Sequence, residues 1–250
     1  MKALVTGASS GLGKDFAKKL DQEGYDLILV ARREERLLEL KKELHHEVTI
    51  FPFDLSKLEN CERLMEEIGD EEIDLFINNA GFGQYGDFLE SDIEKEVDMI
   101  KVNDLASFYL MKKMLQKMEK QKKGTILNVA SAAAFTFGPK MGVYYATKSF
   151  LYRLTISTRE ELRRKKSPLV VSVLAPGPVA TEFNKVADVS FSFPPQKSEE
   201  VVSYTMKKLK KKKCIIIPSF WIRMGKFFSR FLSDKALARI GYHFQSRKEK

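Results

Sequence analysis

The stretch Thr6-Gly7-Ala8-Ser9-Ser10-Gly11-Leu12-Gly13 lies between the apolar run Ala3-Leu4-Val5 and a helix-periodic segment from Leu12 to Glu23. Glycines in such a turn let the backbone come close to a pyrophosphate. The helix that follows offers unpaired N–H groups and the positive end of its dipole. The spacing is G-x-x-x-G-x-G, and not the G-x-G-x-x-G of the general dinucleotide fingerprint. Taken alone, a glycine-rich turn is equally a flexible loop.

Outward from this turn, short apolar runs alternate with longer helical patterns. Strands are expected at about 2–6, 26–31, 48–53, 73–78, 124–130, 169–174 and 213–217, with helices between them, for instance from Glu34 to Leu44. Runs such as Leu27-Ile28-Leu29-Val30 and Leu169-Val170-Val171-Ser172-Val173 are apolar at nearly every position, which suits strands covered on both faces. The pattern predicts an α/β fold: a Rossmann-type, doubly wound parallel sheet of about seven strands. One catalytic domain is expected over 1–217, with a C-terminal helical extension, 218–250, belonging to it.

Further along, Asn78-Asn79-Ala80-Gly81 closes the fourth strand and Asn103 lies in the next long helix. Ser131 ends the fifth strand, Tyr144 and Lys148 form Y-x-x-x-K, and Pro176-Gly177-Pro178-Val179-Ala180-Thr181 follows the sixth strand. In this order and spacing the motifs resemble the short-chain dehydrogenase/reductase family in its classical form, over roughly 1–217. The resemblance implies an oxidoreductase that interconverts a secondary alcohol and a ketone with a nicotinamide cofactor. It implies Tyr144 as the acid/base, Ser131 as the holder of the substrate oxygen, Lys148 as a partner of both tyrosine and ribose, and Asn103 as the anchor of a water. Gly7, Ser9, Ser10, Gly11, Leu12 and Gly13 would hold the pyrophosphate. Asp54 and Leu55 would meet the adenine, Asn79, Ala80 and Gly81 its ribose, and Val179 and Thr181 the carboxamide and phosphates.

The residues themselves agree with these roles. Tyr144 and Lys148 share a helix face, and a nearby ammonium favours the phenolate. Singly, each has a plainer alternative: a solvated Lys148, an Asn103 that only bonds backbone, or Tyr145 facing the site. Tyr145 is set aside because Ser149, not a lysine, stands four positions beyond it. The second strand ends Ala31-Arg32-Arg33, with no carboxylate before Glu34, where an NAD site would place Asp or Glu. Arg32, assisted by Arg33, suits a 2′-phosphate, so NADP(H) is expected over NAD(H). A nucleotide-sensing protein that uses this fold without turnover is the alternative; the complete Asn103, Ser131, Tyr144 and Lys148 set argues against it.

Composition bounds the rest. The 250 residues are 44% hydrophobic and 31% charged, ordinary for one globular domain, and no apolar run is long enough to span a membrane. The chain enters its first strand at once, so no secretory leader is expected. Cys61 and Cys214 read as two buried reduced thiols with no metal-ligand spacing, which suggests a cytoplasmic compartment and no metal. The net charge of +9 is unevenly placed: residues 207–250 hold 14 Lys/Arg against 2 Asp/Glu, while the rest is slightly acidic. Trp221, Met224, Phe228, Phe231 and Leu232 recur there at helical spacing, with Arg223, Lys226 and Arg230 between them. The segment reads as a lid over the substrate pocket, or as a weak peripheral membrane contact through 207–239 in which Lys207, Lys208 and Lys210 to Lys213 meet anionic headgroups. Nucleic-acid binding is not expected, and a homodimer or homotetramer is. Phe183, Phe191 and Phe193, in a substrate loop at about 182–197, hint at an apolar ligand.

Overall fold

The computed structural model describes residues 1–183 and 195–246. Seven strands form one parallel sheet: β1 (Lys2–Thr6), β2 (Asp26–Val30), β3 (Val48–Phe51), β4 (Leu75–Asn78), β5 (Thr125–Val129), β6 (Val170–Leu174) and β7 (Ile215–Ile216). Their order is β3-β2-β1-β4-β5-β6-β7, so the direction of winding reverses between β1 and β4. Val5 pairs with Leu29 on one side and Ile77 on the other. At such a reversal the loops leaving the strand ends diverge and open a crevice.

The unbroken apolar strands are explained by cover on both faces. Ala3 and Val5 of β1, with Leu27 and Leu29 of β2, pack with Phe16 and Leu20 of α1 (Gly11–Gln22), Leu37 of α2 (Glu34–Glu43) and Val201 of the helix Ser198–Lys210. The alternate residues Leu4, Ile28 and Val30 pack instead with Leu64 of α3 (Leu58–Ile68) and with Leu110 and Met114 of a helix over Ser107–Gln121. Period-two alternation thus sends successive side chains into two different cores.

Strand limits depart from the sequence expectation where local bonding leaves the ladder. Phe53 N–H donates to Phe51 O at 2.8 Å, a tight turn that ends β3 two residues early. β7 is confined to two residues between Lys212, which is left-handed at φ 53°, and Pro218, which has no N–H to give. The long helix after β4 is not continuous. It consists of α4 (Ile93–Ile100), a wide π-helical turn (Lys101–Ala106) that carries Asn103, and α5 (Ser107–Gln121). Such a turn inserts an extra residue and re-aims the side chains within it.

α6 (Gly142–Arg164) crosses back between β5 and β6, and α7 (Ser198–Lys210) lies along α1. After β7 come α8 (Phe220–Phe228) and α9 (Asp234–Ser246). Lys210 pairs with Glu23 at 2.8 Å, just past the end of α1. The lysine run therefore lies at the far end of a helix about 18 Å long from the Thr6–Gly13 turn. α8 leaves the opposite end of β7. The lysine run precedes β7 and the C-terminal aromatics follow it, and Lys208 and Lys213 line one small pocket with Arg223 of α8. Among the described residues no helix is long and apolar enough to cross a membrane. Cys61 is buried in α3, whereas Cys214 beside β7 is only half-buried; both are free.

Candidate active site

The turn between β1 and α1 leaves the first N–H groups of α1 without a side-chain cap, because Ser10, at the capping position, makes no such bond. Its hydroxyl instead accepts from Arg33 Nη2 at 3.0 Å, and Ser9 Oγ accepts from the same nitrogen at 3.2 Å. Arg33 Nη1 reaches Glu182 at 3.2 Å, and Arg36 Nη1 bonds both oxygens of Glu182 at 2.7 Å. These hydrogen bonds, from Arg36 and then Arg33, hold the Glu182 carboxyl below its ordinary range against the opposing effect of burial. Arg32 is exposed at the same end of the cavity and has no hydrogen-bond or ion-pair partner among the described residues. The two arginines expected to act together thus differ: Arg33 braces the loop, and Arg32 is uncommitted.

Gly7, Ser9, Ser10, Gly11, Leu12, Asp54, Leu55, Asn79, Ala80, Gly81, Val179 and Thr181 all line this cavity. Gly13 does not. A Cβ on it would lie 2.1 Å from Gly7 O and 2.7 Å from Asn79 Nδ2, so its role is to let α1 pack against the turn and the end of β4. Asn79 spends its amide on Thr6 O at 2.9 Å and its backbone N–H on Thr6 Oγ1 at 3.0 Å, which ties β4 to the turn.

At the other end Ser131 follows β5 and caps a short 3-10 turn, its Oγ accepting from Ala133 N–H at 3.1 Å. The same hydroxyl is a hydrogen-bond partner of Tyr144, whose ring is buried and lies tilted against Phe183, centroids 5.3 Å apart. Burial raises the Tyr144 phenol well above its usual range, and the Ser131 bond opposes this only in part. Lys148 Nζ donates to Val129 O at 3.1 Å and stands 5.9 Å from the Tyr144 ring centre. Burial pushes the Lys148 ammonium down to about 8, with Asp104 acting the other way. Burial likewise raises Asp104 to about 6, opposed by Lys148, and its Oδ1 has no hydrogen-bond partner.

Asn103 is buried and does not line the cavity. Its Oδ1 accepts from Phe82 N–H at 3.0 Å, and its Nδ2 donates to Phe82 O at 2.9 Å and Thr147 Oγ1 at 3.0 Å. The side chain thus ties the backbone of Phe82 to the hydroxyl of Thr147. Gly81 packs against it: a Cβ there would lie 2.8 Å from Asn103 Oδ1 and 3.1 Å from Lys148 Nζ. Tyr145 is occupied elsewhere, its hydroxyl accepting from Gln245 Nε2 at 2.7 Å.

One cavity of about 760 Å³ runs from Arg32 past the glycine turn to Ser131, Tyr144 and Lys148. Its far wall holds Phe82, Phe135, Met141 and Phe183, and is completed by Ile222 and Phe228 of α8 and by Leu237 and Ile240 of α9. An extended dinucleotide fits this shape, with a free guanidinium at one end and the paired hydroxyls at the other. Sequence reasoning missed Arg36, Glu182 and Gln245, because each acts through a partner remote in the chain. Phe191 and Phe193 lie outside the described residues.

Residues 1–189 match the sequence pattern of the family described as short chain dehydrogenase. An uncharacterized oxidoreductase of Staphylococcus epidermidis is 32% identical over 188 residues, covering 74% of this chain and 81% of its own. A very-long-chain 3-oxoacyl-CoA reductase of Neurospora crassa is 32% identical over 203 residues, 77% of this chain and 60% of that protein. Among solved structures, a short-chain dehydrogenase from Sphingobium yanoikuyae in complex with NADPH superimposes with a TM-score of 0.82 at 27% identity, covering 93% of this chain and 95% of that one. With fold, strand order and motif order all in agreement, the chain belongs to the classical short-chain dehydrogenase/reductase family of oxidoreductases.

Proposed function

We propose that the protein is an NADP(H)-dependent reductase or dehydrogenase that interconverts an apolar ketone and its secondary alcohol. The observation that carries this reading is the Ser131–Tyr144 hydroxyl pair, buried beside Lys148 in the same cavity as the glycine turn. The bound nicotinamide supplies or accepts the hydride. Ser131 holds the substrate oxygen, and Tyr144, kept protonated by its burial, gives that oxygen its proton during reduction. Lys148, anchored on Val129, holds the cofactor ribose and carries positive charge beside the phenol. The aromatic far wall favours a lipid, steroid or ketoacyl substrate.

NADP(H) is preferred because Arg32, where the second strand ends, is a cation without a partner among the described residues, and the S. yanoikuyae relative, 27% identical, carries NADPH in its solved structure. Two or more copies associate through the exposed Phe88, Leu89, Ile93, Val97 and Ile100 around α4, and light scattering measures that assembly. Free Cys61 and Cys214 suit a reducing, cytoplasmic compartment. Recombinant protein with NADPH and a panel of ketones tests the function: reduced-nicotinamide absorbance falls with apolar ketones. A panel without loss, while NADPH still binds, favours a nucleotide sensor.

A further inference from the structure

α8 presents its apolar side outward. Phe220, Met224 and Phe227 recur at i, i+4 and i+7, and Phe231 continues the line into the turn after the helix. Phe220, Phe227 and Phe231 are 57%, 51% and 72% exposed, and none of them lines the cavity. Ile222, Gly225 and Ser229, on the other side of the helix, do line it. Trp221 and Phe228 sit between the two faces: both line the cavity, yet Trp221 is 79% exposed. The outer rings touch one another, Phe227 standing 5.4 Å from Phe228 and 5.5 Å from Phe231. A continuous aromatic surface therefore runs from the cavity rim to the outside of the protein.

Charge decides what covers it. Arg223, 5.7 Å from the Phe220 ring centre, and Arg230, Lys235 and Arg239 of the same C-terminal segment are exposed, against one acidic residue among its described residues, Asp234. The other exposed apolar patch, around α4, is flanked by Glu90, Glu94, Glu96 and Asp98 and repels anionic surfaces. Aromatic rings amid exposed guanidinium and ammonium groups match an interface of acyl chains and anionic headgroups.

We infer that the outer face of α8 and the turn after it dock on an anionic bilayer, with the cavity rim at Trp221 and Phe228 against the lipid. Lys208 and Lys213 line a small pocket with Arg223, so the lysine run adds charge beside this face but no apolar insertion. An apolar ketone dissolved in the bilayer then meets the cavity without crossing water. That last consequence rests on the proposed substrate class; the docking does not.

Trp221, the only tryptophan of the chain, reports on this directly. The full-length protein is mixed with phosphatidylcholine vesicles, with or without phosphatidylserine, at low and high salt. The expected result is a blue shift of Trp221 emission and co-sedimentation with the phosphatidylserine vesicles at low salt, weakened at high salt. Phe227→Ser/Phe231→Ser should lower vesicle partitioning at least about tenfold and leave reduction of a water-soluble ketone unchanged. Lys211→Gln/Lys213→Gln should lower partitioning less than the phenylalanine pair does, because these side chains add charge beside the docked face and no apolar insertion. No shift and no pelleting of the wild type overturns the proposal. So does equal binding by the phenylalanine variant, loss of binding in the lysine variant alone, or a phenylalanine variant that changes only the oligomer mass, which assigns the face to a second copy. Vesicle binding is read without turnover, so failure of the ketone panel leaves this result standing and failure here leaves the panel standing.

Discussion

The Lys148 ammonium is bonded to the carbonyl oxygen of Val129, 3.1 Å away at the end of β5, and not to the hydroxyl of Tyr144 one helical turn earlier. The lysine is thereby fixed to the sheet at the cavity wall, and its burial lowers its pKa to about 8. Tyr144, buried against Phe183, keeps its proton. A hydroxyl that retains its proton and bonds to Ser131 is set to act as an acid toward a carbonyl.

Tyr144→Phe removes that proton and leaves the ring packing. Its kcat should fall by about 10²–10⁴-fold, while NADPH titration gives an affinity close to wild type. A kcat near wild type would move the acid to another group; Tyr145 is already engaged by Gln245.

Arg32 and Arg33 should separate on substitution. Arg32→Ala should cost about ten- to a hundredfold in NADPH affinity and little in NADH affinity, since only the former carries the 2′-phosphate. Arg33→Ala frees Ser9 and Ser10 and leaves Glu182 to Arg36 alone, and should weaken both cofactors together. Calorimetric titration with each cofactor distinguishes the two patterns. Equal losses in Arg32→Ala would make Arg32 a support of the fold.

Gly81→Ala places a methyl 2.8 Å from Asn103 Oδ1 and 3.1 Å from Lys148 Nζ, both held by the surrounding structure. Strain of this kind costs about 1–3 kcal/mol. Urea unfolding should show the loss of stability, and kcat should fall because Lys148 is displaced. Unchanged values in both measurements would mean that the π-helical turn yields without cost.

Asp104 governs a pH dependence whose sign follows from its raised pKa of about 6. The folded state binds the proton more tightly than the unfolded one, where the ordinary value is 3.8. The cost of burying this carboxylate is therefore full above about pH 6 and disappears as pH falls toward 4. Asp104→Asn should raise the melting temperature at pH 7.5 and leave it unchanged near pH 4, as differential scanning fluorimetry would read. A variant less stable than wild type at pH 7.5 would mean that attraction to Lys148 outweighs desolvation.

The order of the strands in the sheet was read only from the tertiary structure, whereas their number and parallel sense were legible in the sequence because they rest on local signals. These are apolar runs with period two, helical periodicity between them, and a glycine turn before the first helix. The identities of Ser131, Tyr144 and Lys148 were equally legible, since motif spacing places them at the ends of named elements. What each group does in its pocket was decided by tertiary structure alone. Lys148 chose Val129 over Tyr144, Glu182 came to Arg33 and Arg36, Asn103 turned to Phe82, and Gln245 reached Tyr145. Within the lysine run, Lys210 was carried to Glu23 at the end of α1, while Lys208 and Lys213 came to line a pocket with Arg223 of α8. Hydrogen bonding, desolvation and surface charge depend on distances between elements remote in sequence, and packing sets those distances.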